Sequence, residues 1–110
     1  TPAAARAGDP VDAVDTPALV VDLDAMERNL AAMAAFARTH GVRLRPHAKM
    51  HKCAAIAQLQ LAAGAVGVCV QKVGEAEALV DAGVPDVYVS NVVVAETKLA
   101  RFAALAGRAT

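Results

Sequence analysis

The hydrophobic positions of the chain alternate between two periods. Short apolar runs of strand length are followed by stretches whose apolar residues recur every three or four positions, which is the spacing of an amphipathic helix. The first run is Ala18–Val21, and the helix after it ends at His40 and Gly41. Asp24 stands three positions before Glu27. Because this is the spacing of a capping box, we expect Asp24 to cap the first helix.

A strand followed by a helix then repeats three times. Each predicted helix is followed by a glycine, which can adopt the left-handed conformation that ends a helix, and the next strand begins within a few residues. Such short connections are typical of parallel α/β folds. In the last helix, Leu99, Phe102 and Leu105 are expected to form one buried stripe. The predicted strands are Val42–Lys49, Val66–Gln71 and Asp86–Asn91, and the predicted helices are Met50–Ala63, Gly74–Ala82 and Ala95–Ala106.

Valine dominates the second and third repeated strands, which indicates a parallel sheet covered on both faces. Two folds satisfy this pattern, a (β/α)8 barrel and a doubly wound sheet. No glycine-rich dinucleotide or phosphate-binding pattern follows any strand, which argues against a nucleotide-binding doubly wound sheet. A complete barrel needs roughly 250 residues. We therefore expect residues 15–110 to be the N-terminal portion of an incomplete barrel, and residues 1–14 to be a flexible arm.

Composition excludes several classes of partner. Eleven basic and eleven acidic side chains cancel, which argues against nucleic acid as a partner. No apolar run approaches the roughly 20 residues of a membrane helix. Cys53 and Cys69 are not in a metal-binding spacing, and two isolated cysteines favour the reducing cytoplasm.

The residues with chemical potential are concentrated in Arg45–Lys52, at the end of a predicted strand. If Lys49 faces the interior of a barrel, strand alternation places His47 and Arg45 on the same face. The next two strands would then end their inner rows in Gln71 and Asn91, at the carboxyl ends where barrel enzymes place their sites. In this interpretation Gly67 and Cys69 share the face of Gln71, and Val87 and Val89 share the face of Asn91. The residues expected to face the helices instead are Leu44, Pro46 and Ala48.

The residue types alone leave alternatives open. Lys49 is either a solvated lysine at a strand end or an amine that is neutral enough to form a Schiff base, with Arg45 and His47 supplying part of the required positive surroundings. His47 is either an inward functional group beneath Lys49 or a core histidine. His47 and His51 have the spacing of a helical metal pair, but Pro46 and the expected change from strand to helix argue against one. We expect His51 and Lys52 to be solvated in the first turns of a helix.

Three segments together resemble the D-threonine aldolase and D-serine dehydratase family. They are Asp15–Asp24, the Pro-His-Ala-Lys-Met-His-Lys motif within Arg45–Lys52, and Cys69–Glu77, and the resemblance extends over nearly the whole chain. It is stronger toward the aldolase branch, which includes 3-hydroxy-D-aspartate aldolases. The members are pyridoxal-phosphate enzymes with an alanine-racemase-like barrel, so the resemblance implies that fold, here incomplete.

The resemblance implies that Lys49 carries pyridoxal 5'-phosphate on its side-chain amine. With strand alternation, this predicts His47 as a second catalytic residue and Arg45, Gln71 and Asn91 as contacts of the cofactor. It also implies cleavage of a D-3-hydroxy amino acid into glycine and an aldehyde. A divalent metal would assist, held by ligands outside this chain. The partners would be this small substrate, the remainder of the barrel and a second copy in a homodimer, and the 110 residues alone are expected to be inactive.

Three rival functions follow from the same residues. A D-serine or 3-hydroxyaspartate dehydratase would share the cofactor and lose the Cα proton and the β-hydroxyl. A non-catalytic pyridoxal-phosphate-binding protein would use a similar barrel and lysine without turnover. A structural α/β segment would leave Lys49 as a solvated strand end.

Overall fold

The computed structural model describes residues 4–109, in which helices pack against one face of a parallel sheet. From α2 onward helix and strand alternate along the chain, which confirms the predicted α/β class. Most elements are shorter than the sequence predicted. The helices are α1 (Leu23–Thr39), α2 (Ala54–Ala62), α3 (Val73–Asp81) and α4 (Glu96–Leu105), and the strands are β1 (Val68–Val70) and β2 (Val87–Val89).

The segment before α1 differs from the prediction. Residues 18–21 have no strand assignment and are exposed, and Asp22, rather than Asp24, caps α1 by accepting a hydrogen bond from the Ala25 amide at 2.9 Å. Asp22 has the extended backbone that lets a side chain fold back onto the first turn, whereas Asp24 already lies inside that turn. Of the predicted arm, residues 4–13 are exposed and include one 3-10 turn, Val11–Ala13, while residues 1–3 lie outside the described part.

The first repeated strand, predicted over Val42–Lys49, is reduced to a single parallel bridge between His47 and Cys69. Its backbone still runs beside β1, because Leu44 and Pro46 accept hydrogen bonds from the amides of Val66 and Cys69 at 3.0 and 2.7 Å. Pro46 has no amide hydrogen to donate, so a regular ladder cannot form through it. We call residues 44–47 the bridge segment. It ends where Ala48–Met50 forms a 3-10 turn.

The core lies between the sheet and the helices and is built from small and branched side chains. Val68 and Val70 of β1 are fully buried, and Ala57 brings α2 onto them with no exposed surface of its own. In α4 only Leu105 is buried, at 7% exposure, while Leu99 and Phe102 are 44% and 39% exposed. The predicted stripe along α4 is therefore wrong, because the helix reaches the core only through its last turn.

The pairing of the strands decides which side chains face away from the helices. Val68 pairs with Val87, Cys69 with Tyr88 and Val70 with Val89. Val87 and Val89 pack against the core beside the buried valines of β1, so the face opposite the helices, which we call the open face, carries Cys69 and Tyr88. The prediction that Val87, Val89 and Asn91 lie on the inner face is wrong by one residue. The sequence Val87-Tyr88-Val89 shows a two-residue period but not which face each residue takes, and packing against the helices decides it.

Three of the predicted helix-ending glycines adopt the left-handed conformation, Gly41, Gly64 and Gly83, with φ of 62°, 107° and 83°. None of the helices between residues 4 and 109 has the length and hydropathy needed to cross a membrane.

Candidate functional site

Side chains cross the open face in rows that follow the strand pairing. The bridge between His47 and Cys69 and the pair of Cys69 with Tyr88 define the middle row. Two residues earlier in each strand, the same pairing gives Arg45, Gly67 and Asp86 at the amino ends of the strands. Two residues later, Gln71 and Ser90 follow the carboxyl ends of β1 and β2, beside the turn that carries Lys49.

The row at the amino ends is an ion pair that spans a glycine. The Arg45 guanidinium donates to both carboxylate oxygens of Asp86, at 2.6 and 2.9 Å, and both side chains are 29% exposed. These hydrogen bonds lower the pKa of Asp86 and raise that of Arg45. A Cβ on Gly67 would lie 2.6 Å from the Asp86 carbonyl oxygen, so this position must lack a side chain. Arg45 therefore connects strands at the amino ends. It shares the face of His47, as strand alternation predicts, but its guanidinium is engaged by Asp86, and its contact with a cofactor stays a prediction.

Lys49 lies in the 3-10 turn that follows the bridge segment. Ala48 anchors this turn in the core at 2% exposure, while Lys49 itself is exposed. The Lys49 amide donates to Nδ1 of His47 at 3.3 Å, so the imidazole caps the turn. The ion pairs found among residues 4–109 do not include Lys49. The sequence prediction that Lys49 and His47 are neighbours at the carboxyl end of a strand segment agrees with this geometry.

His47 also contacts the end of β2. Its Nε2 lies 3.3 Å from the hydroxyl oxygen of Ser90, and that hydroxyl donates to the carbonyl of Val70 at 3.1 Å. Ser90 was not predicted from the sequence. It is the only serine of the chain and directly follows a valine-rich strand. This position would have marked Ser90 as a site residue if the sequence had shown which face of β2 it occupies.

His51 and Lys52 do not lie in a first helical turn, because α2 begins only at Ala54. Lys52 is exposed, as predicted, whereas His51 is not. His51 is half-buried, its Nδ1 accepts a hydrogen bond from the Cys53 amide at 3.1 Å, and its buried Nε2 faces the side chain of Gln60. Burial lowers the pKa of His51, which favours the neutral ring. Lys52 has a left-handed backbone, with φ of 48°, and forms an ion pair with Glu75 at 3.2 Å.

Glu75 holds the connection between β1 and α3. One of its oxygens accepts hydrogen bonds from the amides of Gln71 and Lys72, at 3.0 and 3.2 Å. The Gln71 amide, with the Lys52 ammonium as a further contributor, lowers the pKa of Glu75. The carboxylate therefore fixes the backbone of Gln71 at the carboxyl end of β1.

Gln71 and Asn91 line a cavity of about 660 Å³ together with Ala48, Lys52 and residues from the first turns of α3 and α4. Neither Lys49 nor His47 lines this cavity. The predicted convergence of Lys49, Gln71 and Asn91 is therefore only partly met: all three lie at the carboxyl ends of the strands, but Asn91 follows the helix-facing valines. Its side-chain oxygen accepts from the Val92 amide at 2.9 Å.

Metal ligands are not assembled in the part of the chain that the structure describes. Between residues 4 and 109 no three His, Cys, Asp or Glu side chains come together as a metal site. Cys53 and Cys69 are both free thiols. The arrangement offers one exposed amine, a neighbouring imidazole and a hydroxyl at the carboxyl edge of a parallel sheet, which is where barrel enzymes bind substrates.

Comparison with known proteins gives a consistent set of relatives. Residues 21–108 match the family described as alanine racemase, N-terminal domain. The chain is 55% identical over 105 residues to a D-threonine aldolase of an Arthrobacter species, which covers 96% of the chain and 28% of that relative. It is 48% identical over 93 residues to the 3-hydroxy-D-aspartate aldolase of Paracoccus denitrificans, covering 84% of the chain and 24% of that protein.

Solved structures agree in fold as well as in sequence. The D-threonine aldolase of Filomicrobium marinum superposes with a TM-score of 0.90 at 63% identity, over 97% of this chain and 29% of that one. A variant of a D-threo-3-hydroxyaspartate dehydratase in the metal-free form superposes with a TM-score of 0.80 at 42% identity, over 91% of this chain and 26% of that one. The chain thus spans about a quarter of the length of the proteins it matches.

Proposed function

The chain belongs to the alanine racemase N-terminal domain family, and on that basis we propose that the complete protein is a pyridoxal-phosphate-dependent aldolase acting on D-3-hydroxy amino acids. The observation that carries the proposal is Lys49, exposed on a turn at the carboxyl edge of the sheet. The similarity to D-threonine and 3-hydroxy-D-aspartate aldolases supports the reaction class.

The residues at this edge fit the proposed cofactor. A Schiff base to an aldehyde needs a primary amine that is accessible and not engaged with a carboxylate. The exposure of Lys49 and its absence from the ion pairs of residues 4–109 meet this requirement. When bound, pyridoxal phosphate would withdraw electrons from the α-carbon of an attached amino acid. Lys49 would hold the cofactor, and His47 would keep the turn of Lys49 in place.

The proposed reaction balances without a further reactant. The Cα–Cβ bond of the substrate breaks, the β-hydroxyl loses its proton as an aldehyde forms, and the α-carbon gains a proton to give glycine. His47 stands two residues before Lys49 and caps its turn, so we propose a catalytic role for it beside the amine. Gln71, held by Glu75, and Asn91 remain proposed cofactor contacts at the same edge of the sheet.

Further parts of the proposal concern groups that the described residues do not supply. We propose that a divalent metal assists the reaction, with ligands outside this chain; the metal-free form of a related dehydratase supports this. The remainder of the barrel and a second copy of the protein would complete the site. The free thiols support a cytoplasmic protein.

A dehydratase is the second candidate, favoured by the similarity to D-threo-3-hydroxyaspartate dehydratase. It would use the same lysine but remove the α-proton and release the β-hydroxyl, so its products are a keto acid and ammonia. A pyridoxal-phosphate-binding protein without turnover would release neither set of products.

Product analysis distinguishes these functions. The complete protein, supplied with pyridoxal phosphate and a divalent metal, is incubated with D-threonine, with L-threonine as the stereochemical control. We expect glycine and acetaldehyde from D-threonine only, and loss of turnover in Lys49→Arg, which retains the positive charge but not the primary amine. A keto acid and ammonia would instead assign a dehydratase, and no product with cofactor bound would assign a carrier.

A further inference from the structure

We propose that Ser90 is a positioning residue for the lysine site: it fixes His47 in one tautomer, and His47 in turn holds the turn that carries Lys49. The significance of this role for catalysis depends on the function proposed above. The hydrogen-bond arrangement itself is a property of the described residues and is tested independently of the reaction.

The first step is the tautomer of His47. Its Nδ1 lies 3.3 Å from the backbone amide of Lys49. A backbone amide can only donate, so Nδ1 must present a lone pair, and the proton of the neutral imidazole therefore resides on Nε2. His51 repeats this geometry, because its Nδ1 accepts from the amide of Cys53 at 3.1 Å. The two histidines that flank the lysine turn thus have the same tautomer.

The second step is the direction of the contact between His47 and Ser90. The Ser90 oxygen lies 3.3 Å from Nε2 and 3.1 Å from the Val70 carbonyl, which can only accept. The hydroxyl proton therefore goes to Val70, and the oxygen accepts the Nε2 proton of His47. All three hydrogen bonds then run in one direction, from the amide of Lys49 through His47 and Ser90 to the carbonyl of Val70.

The Ser90 side chain is itself held in place by the sheet. Val70 is fully buried in β1, and its carbonyl also accepts the backbone amide of Ser90 at 2.8 Å. The two lone pairs of this carbonyl thus receive both donors of Ser90, which fixes its side chain relative to the sheet. Lys49 lies on an exposed turn, outside the regular strands. The chain of hydrogen bonds connects that turn to the fully buried Val70 of β1, at the position where a displacement of the amine would misplace the reacting atoms.

The test uses the isotope-labelled complete protein, in which the ring nitrogens of His47 are observed by NMR. We expect the Nε2–H tautomer in the wild type, with a ring proton that exchanges slowly with water. Ser90→Ala should accelerate this exchange, whereas Ser90→Thr, which keeps the hydroxyl, should preserve slow exchange. Thr97→Ala removes an exposed hydroxyl from α4 and serves as the matched control. Circular dichroism checks that each variant is folded.

Activity gives the second readout. In Ser90→Ala, His47 and the turn of Lys49 lose their fixed orientation, which should lower kcat by roughly tenfold with KM little changed. Ser90→Thr should recover most of the rate. An Nδ1–H tautomer in the wild type, or unchanged ring-proton exchange in a folded Ser90→Ala, would overturn the proposal. Failure of the cofactor to react with Lys49 would overturn the proposed function instead, because the tautomer measurement requires no cofactor.

Discussion

Alanine at position 67 should disrupt the sheet at the point where Arg45 and Asp86 meet. A Cβ built on Gly67 would lie 2.6 Å from the carbonyl oxygen of Asp86 and 2.9 Å from its Cβ, and it would also collide with the Arg45 guanidinium. The same Asp86 carbonyl accepts the amide hydrogen of Val68 at 3.0 Å. Relief of the clash therefore requires β2 to move away from β1 and the ion pair to open.

The expected cost can be worked out from these contacts. Forcing a methyl group into a packed site costs about 1–3 kcal/mol, and weakening a half-exposed bidentate ion pair costs up to about 1 kcal/mol. Replacing glycine restricts the unfolded chain and returns about 0.4–1 kcal/mol. The net effect is a local destabilisation of about 2 kcal/mol, which corresponds to roughly 30-fold faster exchange of a protected amide.

Hydrogen exchange at the Val68 amide measures this directly, in the complete protein. Gly74→Ala is the matched control, because the nearest atoms to its new Cβ, on Arg101 and Glu77, would be 3.8 and 3.9 Å away. Gly74 lies in α3, so alanine there should stabilise the helix by about 0.5–1 kcal/mol. Equal exchange rates at Val68 in the two alanine variants would refute the role assigned to Gly67.

Three further predictions concern the same scaffold. Arg45 lowers the pKa of Asp86 in the folded state. The stability from this pair is therefore present above the unfolded pKa of about 3.9 and is lost as pH falls through the lower folded value. The urea midpoint should therefore fall less steeply between pH 7 and 3 in Asp86→Asn than in the wild type. Glu75→Gln removes the carboxylate that binds the Gln71 and Lys72 amides and should accelerate exchange of both amides by roughly tenfold; unchanged rates would contradict its role. Ala57→Leu inserts a large side chain where no surface is exposed and should destabilise by about 1–3 kcal/mol in a denaturant titration, while Ala55→Leu, at an exposed position of α2, should not.

The repeating order of strand and helix could be predicted from the sequence because each signal is local. Glycine ends α1, α2 and α3 in the left-handed conformation, since those positions need no tertiary contact to favour it. The face of β1 was also predictable, because Cys69 and Gln71 differ in polarity from the buried Val68 and Val70.

The phase of β2 and the geometry of the lysine turn could not be predicted in the same way. Val87 and Val89 are apolar like their counterparts in β1, and Tyr88 fits either face, so the period was visible but its phase was not. Pro46 shortens the first strand because it has no amide hydrogen to donate to β1. This loss matters only where the segment pairs with β1, and the sequence does not show that pairing. The pairing of Arg45 with Asp86 could not be predicted because the two residues are distant in sequence.

The proposed function depends most directly on whether Lys49 binds the cofactor. The complete protein is incubated with pyridoxal phosphate, reduced with borohydride and digested, and the modified peptide is identified by mass spectrometry. The proposed function predicts one stoichiometric label, on Lys49, which the substitution Lys49→Arg abolishes while leaving the neighbouring Lys52 unlabelled. Stoichiometric labelling at another lysine, with Lys49 unmodified in the folded protein, would contradict it.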